Sequence, residues 1–365
     1  MRLIRLTEPY IQEIIAGRLG VRGPQLASCA LTLGSFDGLH GGHRALLRRT
    51  REARDRLNLA ESVVFTFRQH PRELLDSACE PFLLTTWREK LSLLEDGGCR
   101  VIVAADFCPA LAELDYRAFV EKFLVGYLGM KHLVVGHDAH LGADRMGTAT
   151  TLAALGRELG PERGYSLEAL TPVRKGGAVV SSSAIRVALR AGDMERANIM
   201  LGRPYALWGE VCPGDRRGRE IGFPTANVEP LDPLKLLPRS GVFAARVQVP
   251  GDAVGADCRE ILGRVTESLP EVDADGVPLG TGAGEWVVFG GMLNFGHVPT
   301  FHGEGLPSPR IEAHLFGFTG DLRGRNVKVE WVRRLRGERK FAGARALVAQ
   351  LEKDRRMAKG VLEQD

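Results

Sequence analysis

No run of 18 uninterrupted apolar residues occurs in this 365-residue chain, so no membrane span is expected. The opening residues, Met1-Arg2-Leu3-Ile4-Arg5-Leu6-Thr7-Glu8, lack the apolar stretch of a signal peptide. The chain therefore reads as soluble, unexported and cytoplasmic. Cysteine is sparse and scattered. Cys29, Cys79, Cys99, Cys108, Cys212 and Cys258 form no Cys-x-x-Cys pair, so neither a zinc site nor a disulfide framework is signalled, in keeping with a reducing compartment. An excess of one charge is missing as well: 49 Lys+Arg against 45 Asp+Glu leave +4, too little to argue for nucleic acid. Neither nucleic acid nor membrane is expected as a partner, and no pattern sets an oligomeric state. Internal repeats are absent. Hydrophobic residues, at 44%, suffice for packed cores, and the length suits two domains. Glycine is the excess, at 44 residues, well above a usual share of about 7%. Tight turns and close backbone approaches to ligands follow, which directs attention to phosphate loops.

The first half alternates apolar runs with helical spacing. Ala30-Leu31-Thr32-Leu33 precedes a helix through Leu46, Leu47, Ala53 and Leu57, then Val63-Val64-Phe65-Thr66-Phe67. Thr86-Trp87-Arg88-Glu89 has the form of a capping box and opens a helix through Leu91 and Leu94 that stops at Gly97-Gly98. Strand Val101-Ile102-Val103-Ala104, a helix from Tyr116 to Tyr127 and strand Leu133-Val134-Val135 follow. This order predicts a doubly wound parallel sheet, whose ligands bind beyond the carboxyl ends of the strands, where Gly34 and Gly136 stand. From Ser183 to Leu201 the spacing predicts one helix. Past Gly202-Arg203-Pro204 come short strands at Ala206 to Val211, Gly241 to Val249, Trp286 to Phe289, Arg310 to Phe318 and Val327 to Val332. They predict an antiparallel barrel or sandwich, with a C-terminal helix through Leu347, Val348 and Leu351 docked on it. Pro250 to Glu285, rich in Gly and Asp, reads as a long surface loop.

Three stretches carry chemistry. Gly34-Ser35-Phe36-Asp37-Gly38-Leu39-His40-Gly41-Gly42-His43 ends a strand and opens a helix. Its two histidines, three residues apart, share one face of the first turn, while glycines and orphan amides favour a nucleotide's phosphates. Such donors suit a phosphoryl group becoming five-coordinate. By spacing alone they could equally be capping or core histidines. Val180-Ser181-Ser182-Ser183-Ala184-Ile185-Arg186 places three hydroxyls at a helix start and an arginine one turn in, suited to a departing pyrophosphate or to simple capping. Gly214-Asp215-Arg216-Arg217-Gly218-Arg219-Glu220-Ile221-Gly222-Phe223-Pro224-Thr225-Ala226-Asn227 joins a basic loop to a Pro-Thr-Ala-Asn turn. The Thr225 hydroxyl and the Asn227 amide oxygen can serve Mg²⁺ and phosphate oxygens.

His-x-Gly-His after a strand resembles the nucleotidylyltransferase signature, and the serine run is similar to the Ser-Ser-Thr-x-Ile-Arg element of bacterial FAD synthetases, with Ser183 in the threonine's place. Gly-Phe-Pro-Thr-Ala-Asn strongly resembles the riboflavin kinase signature. Gly291-Met292-Leu293-Asn294-Phe295-Gly296, Pro299-Thr300-Phe301, Glu312-Ala313-His314-Leu315-Phe316 and Gly320-Asp321-Leu322-Arg323-Gly324 are consistent with it. From about Leu31 to Leu351 the chain is thus similar to the prokaryotic bifunctional FAD synthetases.

That resemblance implies an α/β nucleotidylyltransferase-type domain over residues 1–186 that adenylylates FMN, a helical linker over 187–203, and an antiparallel β-barrel riboflavin kinase domain with a C-terminal helix over 204–365. It implies ATP as co-substrate, Mg²⁺ as cofactor, and riboflavin, FMN and FAD as small-molecule substrates and products. Catalysis falls to His40, His43, Arg186 and Glu312, the last taking the proton of the ribityl 5′-hydroxyl. Substrate contacts fall to Gly34, Asp37, Asp138, Gly142, Ser181, Ser182, Ser183, Gly214, Arg219, Gly222 and Asn294, and the metal to Thr225 and Asn227. The chain departs from the family at Phe67-Arg68-Gln69-His70-Pro71, where Phe-Glu/Asp-Pro-His-Pro is usual, at Leu83 in place of an arginine, and at Ala139, His140 and Leu141 in place of a more aromatic and basic run. These departures keep open a chain in which only the kinase works; a flavin- or nucleotide-binding regulator with vestigial catalytic groups is the alternative of another class.

Overall fold

The structure is a computed structural model and describes residues 1–18, 26–75, 80–214, 217–267, 271–272, 278–280, 284–297 and 309–364. Cys79, Asp215, Arg216 and Pro299-Thr300-Phe301 lie outside the described residues. The chain forms two compact units: one built chiefly from Met1–Glu80 and Trp87–Ser181, the other from Pro81–Thr86, Ser182–Glu271 and Leu279–Asp365.

The first unit runs β1 (Arg2–Leu6), α1 (Glu8–Ile15), β2 (Cys29–Leu33), α2 (Gly41–Arg56), β3 (Glu61–Phe67), α3 (Trp87–Asp96), β4 (Val101–Ala105), β5 (Met130–Gly136), α4 (Ala149–Glu158) and β6 (Ser166–Leu170). The strands stand in the order β1-β4-β3-β2-β5-β6 and every pair is parallel. Both faces are covered, so successive residues of one strand enter different cores. Val63, Phe65, Val101 and Val103 join one cluster, while Val64 and Ile102 join another with α2 and α3 residues. This is why the inner strands read as continuous apolar runs rather than as an alternation. Two edge strands escape the sequence reading, which takes β2 as the first strand. Arg2 and Arg5 break the apolar pattern of β1, and β6 carries Glu168, which Arg49 and Arg56 bind from α2. The segment read as one helix over Tyr116 to Tyr127 starts as an α-helix at Tyr116–Phe119 and widens into a π-helix at Val120–Tyr127. A Cβ at Gly126 would fall 2.8 Å from the Glu121 carbonyl oxygen, so glycine permits the close wind.

From β2 the chain moves to β3 and β4 on one side, whereas β5 and β6 lie on the other. The order reverses between β2 and β5, and the crevice beyond their carboxyl ends is where an open α/β sheet binds its ligand.

The second unit opens with α5 (Ser182–Ala191) and α6 (Met194–Leu201), two helices where the spacing suggests one. Gly192 turns left-handed at φ 79° and Asp193 caps the second helix by accepting from the Arg196 amide. Then come β7 (Tyr205–Cys212), β8 (Ala226–Pro230), β9 (Gly241–Pro250), β10 (Ile261–Glu267), β11 (Gly284–His297), β12 (Pro309–Leu315), β13 (Asn326–Arg336) and α7 (Ala344–Leu362). Six of these strands close an antiparallel barrel in the order β9-β13-β7-β8-β12-β11, with β11 returning to β9. β10 pairs with the first half of β11, along the edge that β12 uses in the second half. Part of the stretch read as a surface loop is thus a strand, hidden from a periodicity search by the register shift between Ile261 and Gly263.

Trp331, Tyr205, Phe243 and Phe289 are fully buried. α7 lays Ala358 and Leu362 against Phe223, Met292 and Phe316, as the C-terminal spacing predicts. Asn198 on α6 donates to the Trp331 and Val332 carbonyls and accepts from the Tyr205 amide, which fastens α6 to the barrel. The short stretch Pro81–Thr86 is fastened in the same unit. The Phe82 and Leu83 amides donate to the Leu234 carbonyl, the Leu236 amide donates to Leu83, and buried Lys235 donates to the Leu84 carbonyl at 2.8 Å. Leu83 is buried there, which explains why an apolar residue suits a position where the family carries arginine. Among the described residues, no helix is long and apolar enough to cross a membrane.

Candidate active sites

In the first unit the site grows from the turn between β2 and α2. Phe36, Gly38 and Leu39 all take left-handed backbone, at φ 50°, 85° and 38°, and Phe36 and Leu39 are buried, which pins the strained turn. His40 caps α2: its Nδ1 accepts the His43 amide at 3.3 Å. Neutral His40 therefore carries its proton on Nε2 and can donate from it. The two imidazoles stack with centroids 3.7 Å apart at 15°, and Phe36 meets His43 edge-on at 5.1 Å. The two histidines form one stacked plate on the first turn of a helix whose amides favour anions.

Gly42 shows how closely the wall is drawn: a Cβ there would stand 3.1 Å from the His40 ring and 3.9 Å from the Val180 carbonyl. The chain leading to Ser181 thus passes beside the first turn of α2. Gly34 and Gly136 end neighbouring strands, since Thr32 pairs with Val134. Asp138 is exposed just beyond Gly136, and His140 Nδ1 donates back to the Asp138 carbonyl. Gly142 is left-handed at φ 82° and could not carry a Cβ, which would lie 2.3 Å from the Tyr116 amide. Asp37 is buried under the turn. Ser182, Ser183 and Arg186 begin α5 in the second unit, where Arg186 Nε donates to the Phe82 carbonyl at 2.8 Å and its guanidinium lies 5.6 Å from the Phe82 ring centroid. Of the departures, Arg68 pairs with Asp106 at 3.0 Å and Ala139 packs on the main core.

In the second unit, barrel register brings three distant residues into one row. Asn227 on β8 lies opposite Glu312 on β12, and Glu312 opposite Asn294 on β11. Directly paired residues point to one face. Their neighbours Val228, Ile311, Ala313, Leu293 and Phe295 are buried on the other. The Pro-Thr-Ala-Asn element is therefore not a turn throughout: β8 begins at Ala226, and Asn227 is a strand residue held from both sides by Cys212 and Glu312. Gly218 to Phe223 form a tight turn ahead of it. The Phe223 amide donates to the Gly218 carbonyl and the Gly222 amide to Arg219, with Gly222 left-handed at φ 81° and Arg219 exposed. A Cβ at Gly214 would fall 1.5 Å from Asn227 Nδ2, and one at Gly218 would fall 3.3 Å from Thr225 Oγ1.

Two residues to which the sequence reading gave no role belong to these sites. His314, two places beyond Glu312 on the same face, donates through Nδ1 to the Pro224 carbonyl at 2.8 Å, and burial pushes its pKa below the ordinary value. Lys90 on α3 is buried beneath the β2–α2 turn. His314 was visible within its motif; nothing local distinguishes Lys90 from a surface lysine.

The family model described as FAD synthetase matches residues 23–184, and the one described as riboflavin kinase matches residues 201–362. A bifunctional riboflavin kinase/FMN adenylyltransferase from Bacillus subtilis is 33% identical over 362 residues, covering 98% of this chain and 97% of that one. The chain belongs to the bifunctional riboflavin kinase/FMN adenylyltransferase family. Relatives of the same description from Haemophilus influenzae and Escherichia coli K12 are 33% and 34% identical, covering 92% and 89% of this chain and 94% and 90% of theirs. A crystal structure from Streptococcus pneumoniae, described as a macrolide-efflux protein, superposes with a TM-score of 0.74 at 26% identity, covering 98% of this chain and 99% of that one. As a member of the family the chain is an enzyme of flavin cofactor synthesis: it phosphorylates riboflavin to FMN and adenylylates FMN to FAD.

Proposed function

We propose that the two reactions are divided between residues 1–186, which carry adenylyl transfer, and residues 204–365, which carry phosphoryl transfer, with the helices between them as linker, ATP as donor in both and the cytoplasm as the place of work. In the kinase half, Glu312 takes the proton of the ribityl 5′-hydroxyl as that oxygen attacks the γ-phosphorus and ADP leaves. Asn294 and Asn227 flank it in the strand row, and Gly214, Arg219 and Gly222 shape the nucleotide loop. The row Asn227–Glu312–Asn294 supports this reading most directly, because residues far apart in sequence meet on one face of the barrel.

Magnesium fits the oxygen donors at the start of β8. Thr225 offers a hydroxyl and Asn227 an amide oxygen, a hard donor set suited to a cation whose remaining ligands are phosphate oxygens and water. Gly214 leaves the room in which the Asn227 amide sits. The cation would neutralise phosphate charge as it develops.

In the adenylyltransferase half, an FMN phosphate oxygen attacks the α-phosphorus of ATP and pyrophosphate leaves. His40 and His43 donate from the start of α2 to the oxygens of the α-phosphoryl group as it becomes five-coordinate. Gly34 and Asp37 shape the nucleotide turn, Asp138 and Gly142 close the adjoining rim, and Ser181, Ser182, Ser183 and Arg186 receive the leaving phosphates. A reciprocal pair of variants tests the division. Glu312→Gln should lose FMN formation by about 10²- to 10⁴-fold while still converting supplied FMN to FAD. His43→Ala should lose FAD formation by about 10²- to 10³-fold while still making FMN. Any variant that lost both reactions equally, or neither, would contradict the assignment.

A further inference from the structure

The turn that carries His40 and His43 rests on α3, and α3 meets it in two ways. Leu91 and Leu94 join Phe36 and Leu39 in one buried cluster, so the apolar face of the helix pins the turn's two non-glycine residues in left-handed backbone. One residue before Leu91, Lys90 is only 4% exposed, and its Nζ donates to the carbonyl of Phe67, the last residue of β3, at 3.0 Å. The Trp87 ring, one turn back on α3, lies 5.5 Å from the same nitrogen.

Two carboxylates face the buried ammonium electrostatically. Asp37 comes from the strained turn and Glu73 from the short helix Pro71–Leu75 that follows β3. Asp37 is 1% exposed. Glu73 also accepts the His70 amide at 2.7 Å, so it is fixed to the chain leaving β3. Burial lowers the Lys90 pKa to about 8, and both carboxylates act to keep it charged. A buried ammonium is costly unless its partners are placed for it. Here the partners are the phosphate-binding turn on one side and the segment after β3 on the other.

We propose that Lys90 is a positioning residue for adenylyl transfer, which ties the β2–α2 turn to the end of β3 so that His40 and His43 stand at a fixed distance from the chain that leaves β3. It touches no reacting atom. Backbone strain of the kind found at Phe36 and Leu39 persists only where the surroundings over-determine it, and the α3 cluster supplies packing without direction. The charge supplies direction: an ammonium answering both Asp37 and a backbone carbonyl admits far fewer arrangements than leucine contacts do.

The inference rests on the assignment of adenylyl transfer to the His40–His43 turn, and the experiment separates the two. FAD formation from FMN and ATP is measured in full-length protein carrying Lys90→Met, Lys90→Arg, the pair Lys90→Met with Asp37→Asn, or His43→Ala, with FMN formation from riboflavin read in the same samples. Lys90→Met should lower kcat for FAD formation ten- to hundredfold, change KM for ATP less than threefold, and leave FMN formation intact. Lys90→Arg keeps the cation and should recover at least tenfold of that loss. The single Met variant removes the cation that faces buried Asp37 and should unfold at a lower temperature. The paired variant removes both charges, so its thermal midpoint should return towards the parent while kcat stays low. Recovery of kcat together with stability in the paired variant, or an unchanged kcat in Lys90→Met, would overturn the positioning role. A normal rate in His43→Ala would instead overturn the site assignment beneath it.

Discussion

Gly214→Ala separates the needs of the barrel from the needs of its site. The added Cβ would fall 1.5 Å from Asn227 Nδ2 and 2.8 Å from Asn227 Cγ. Contact between such atoms requires about 3.5 Å, so roughly 2 Å of separation must be found. The Asn227 backbone is locked between Cys212 and Glu312, and the backbone at Gly214 is not left-handed, so alanine is no strain there. The amide of Asn227 gives way instead. Turning a side chain off its rotamer costs about 0.5–1.5 kcal/mol, and the thermal midpoint should move by only a few degrees. Displacing a substrate-positioning group by even 1 Å can cost about 10²-fold in rate, equivalent to about 2.7 kcal/mol of barrier. The assay supplies riboflavin, ATP and Mg²⁺ and resolves FMN and FAD by chromatography, then repeats with FMN as the starting flavin. FMN formation should fall about a hundredfold while FAD formation from FMN is unchanged. Parental FMN formation by the variant would show that the Asn227 amide does no work in the kinase.

Arg186→Ala should raise KM for ATP in FAD formation and leave FMN affinity unchanged, which separate titrations of the two substrates will show; a selective loss of FMN affinity would contradict the role. A fragment beginning at Ser182 should make FMN and no FAD. One beginning at Gly202 loses the three hydrogen bonds of Asn198, at about 1 kcal/mol each, and denaturant unfolding should find it less stable by at least about 3 kcal/mol. His314 has a native pKa below its ordinary value because burial disfavours the imidazolium. The unfolded chain therefore binds the extra proton first as the solution acidifies. The stability tied to neutral His314 is complete above about pH 6.5 and is lost as pH falls from there towards the native pKa. His314→Gln should shrink the drop in thermal midpoint between about pH 7 and 5 relative to the parent; an equal drop in both would refute it.

The parts legible in the sequence are those whose physics is local. The inner strands announce themselves as apolar runs because both faces are buried, and the β2–α2 turn and the loop before β8 announce themselves through glycines in left-handed backbone, Gly38 at φ 85° and Gly222 at φ 81° among them. The missed parts depend on distant partners. β1 is a strand because β4 lies beside it, although Arg2 and Arg5 spoil its pattern. β10 is a strand because β11 is long enough to pair with two strands along one edge. The break at Gly192 was printed in the sequence but outweighed by an apolar spacing that continues through both helices. In the sites, His40 and His43 could be recognised, whereas the row joining Asn227, Glu312 and Asn294 follows from strand register, and the burial of Lys90 from the packing of α3 against the β2–α2 turn.

Pro81–Thr86 sets a schedule for synthesis on the ribosome. Leu84 must wait for Lys235, 151 residues further on, and at roughly 5–20 residues per second that is a delay of about 8–30 s. By then the sheet of the first unit has been completely translated, including β6 and the approach to Ser181. Phe82, Leu83 and Leu84, all buried in the finished protein, spend that interval without the Leu234, Lys235 and Leu236 contacts that hold them in the finished unit. They form an apolar stretch on a nascent chain whose flanking strands are already able to pair. A holdase that follows the growing polypeptide should find its foothold there, and slowed translation between codons 187 and 234 should lengthen that exposure.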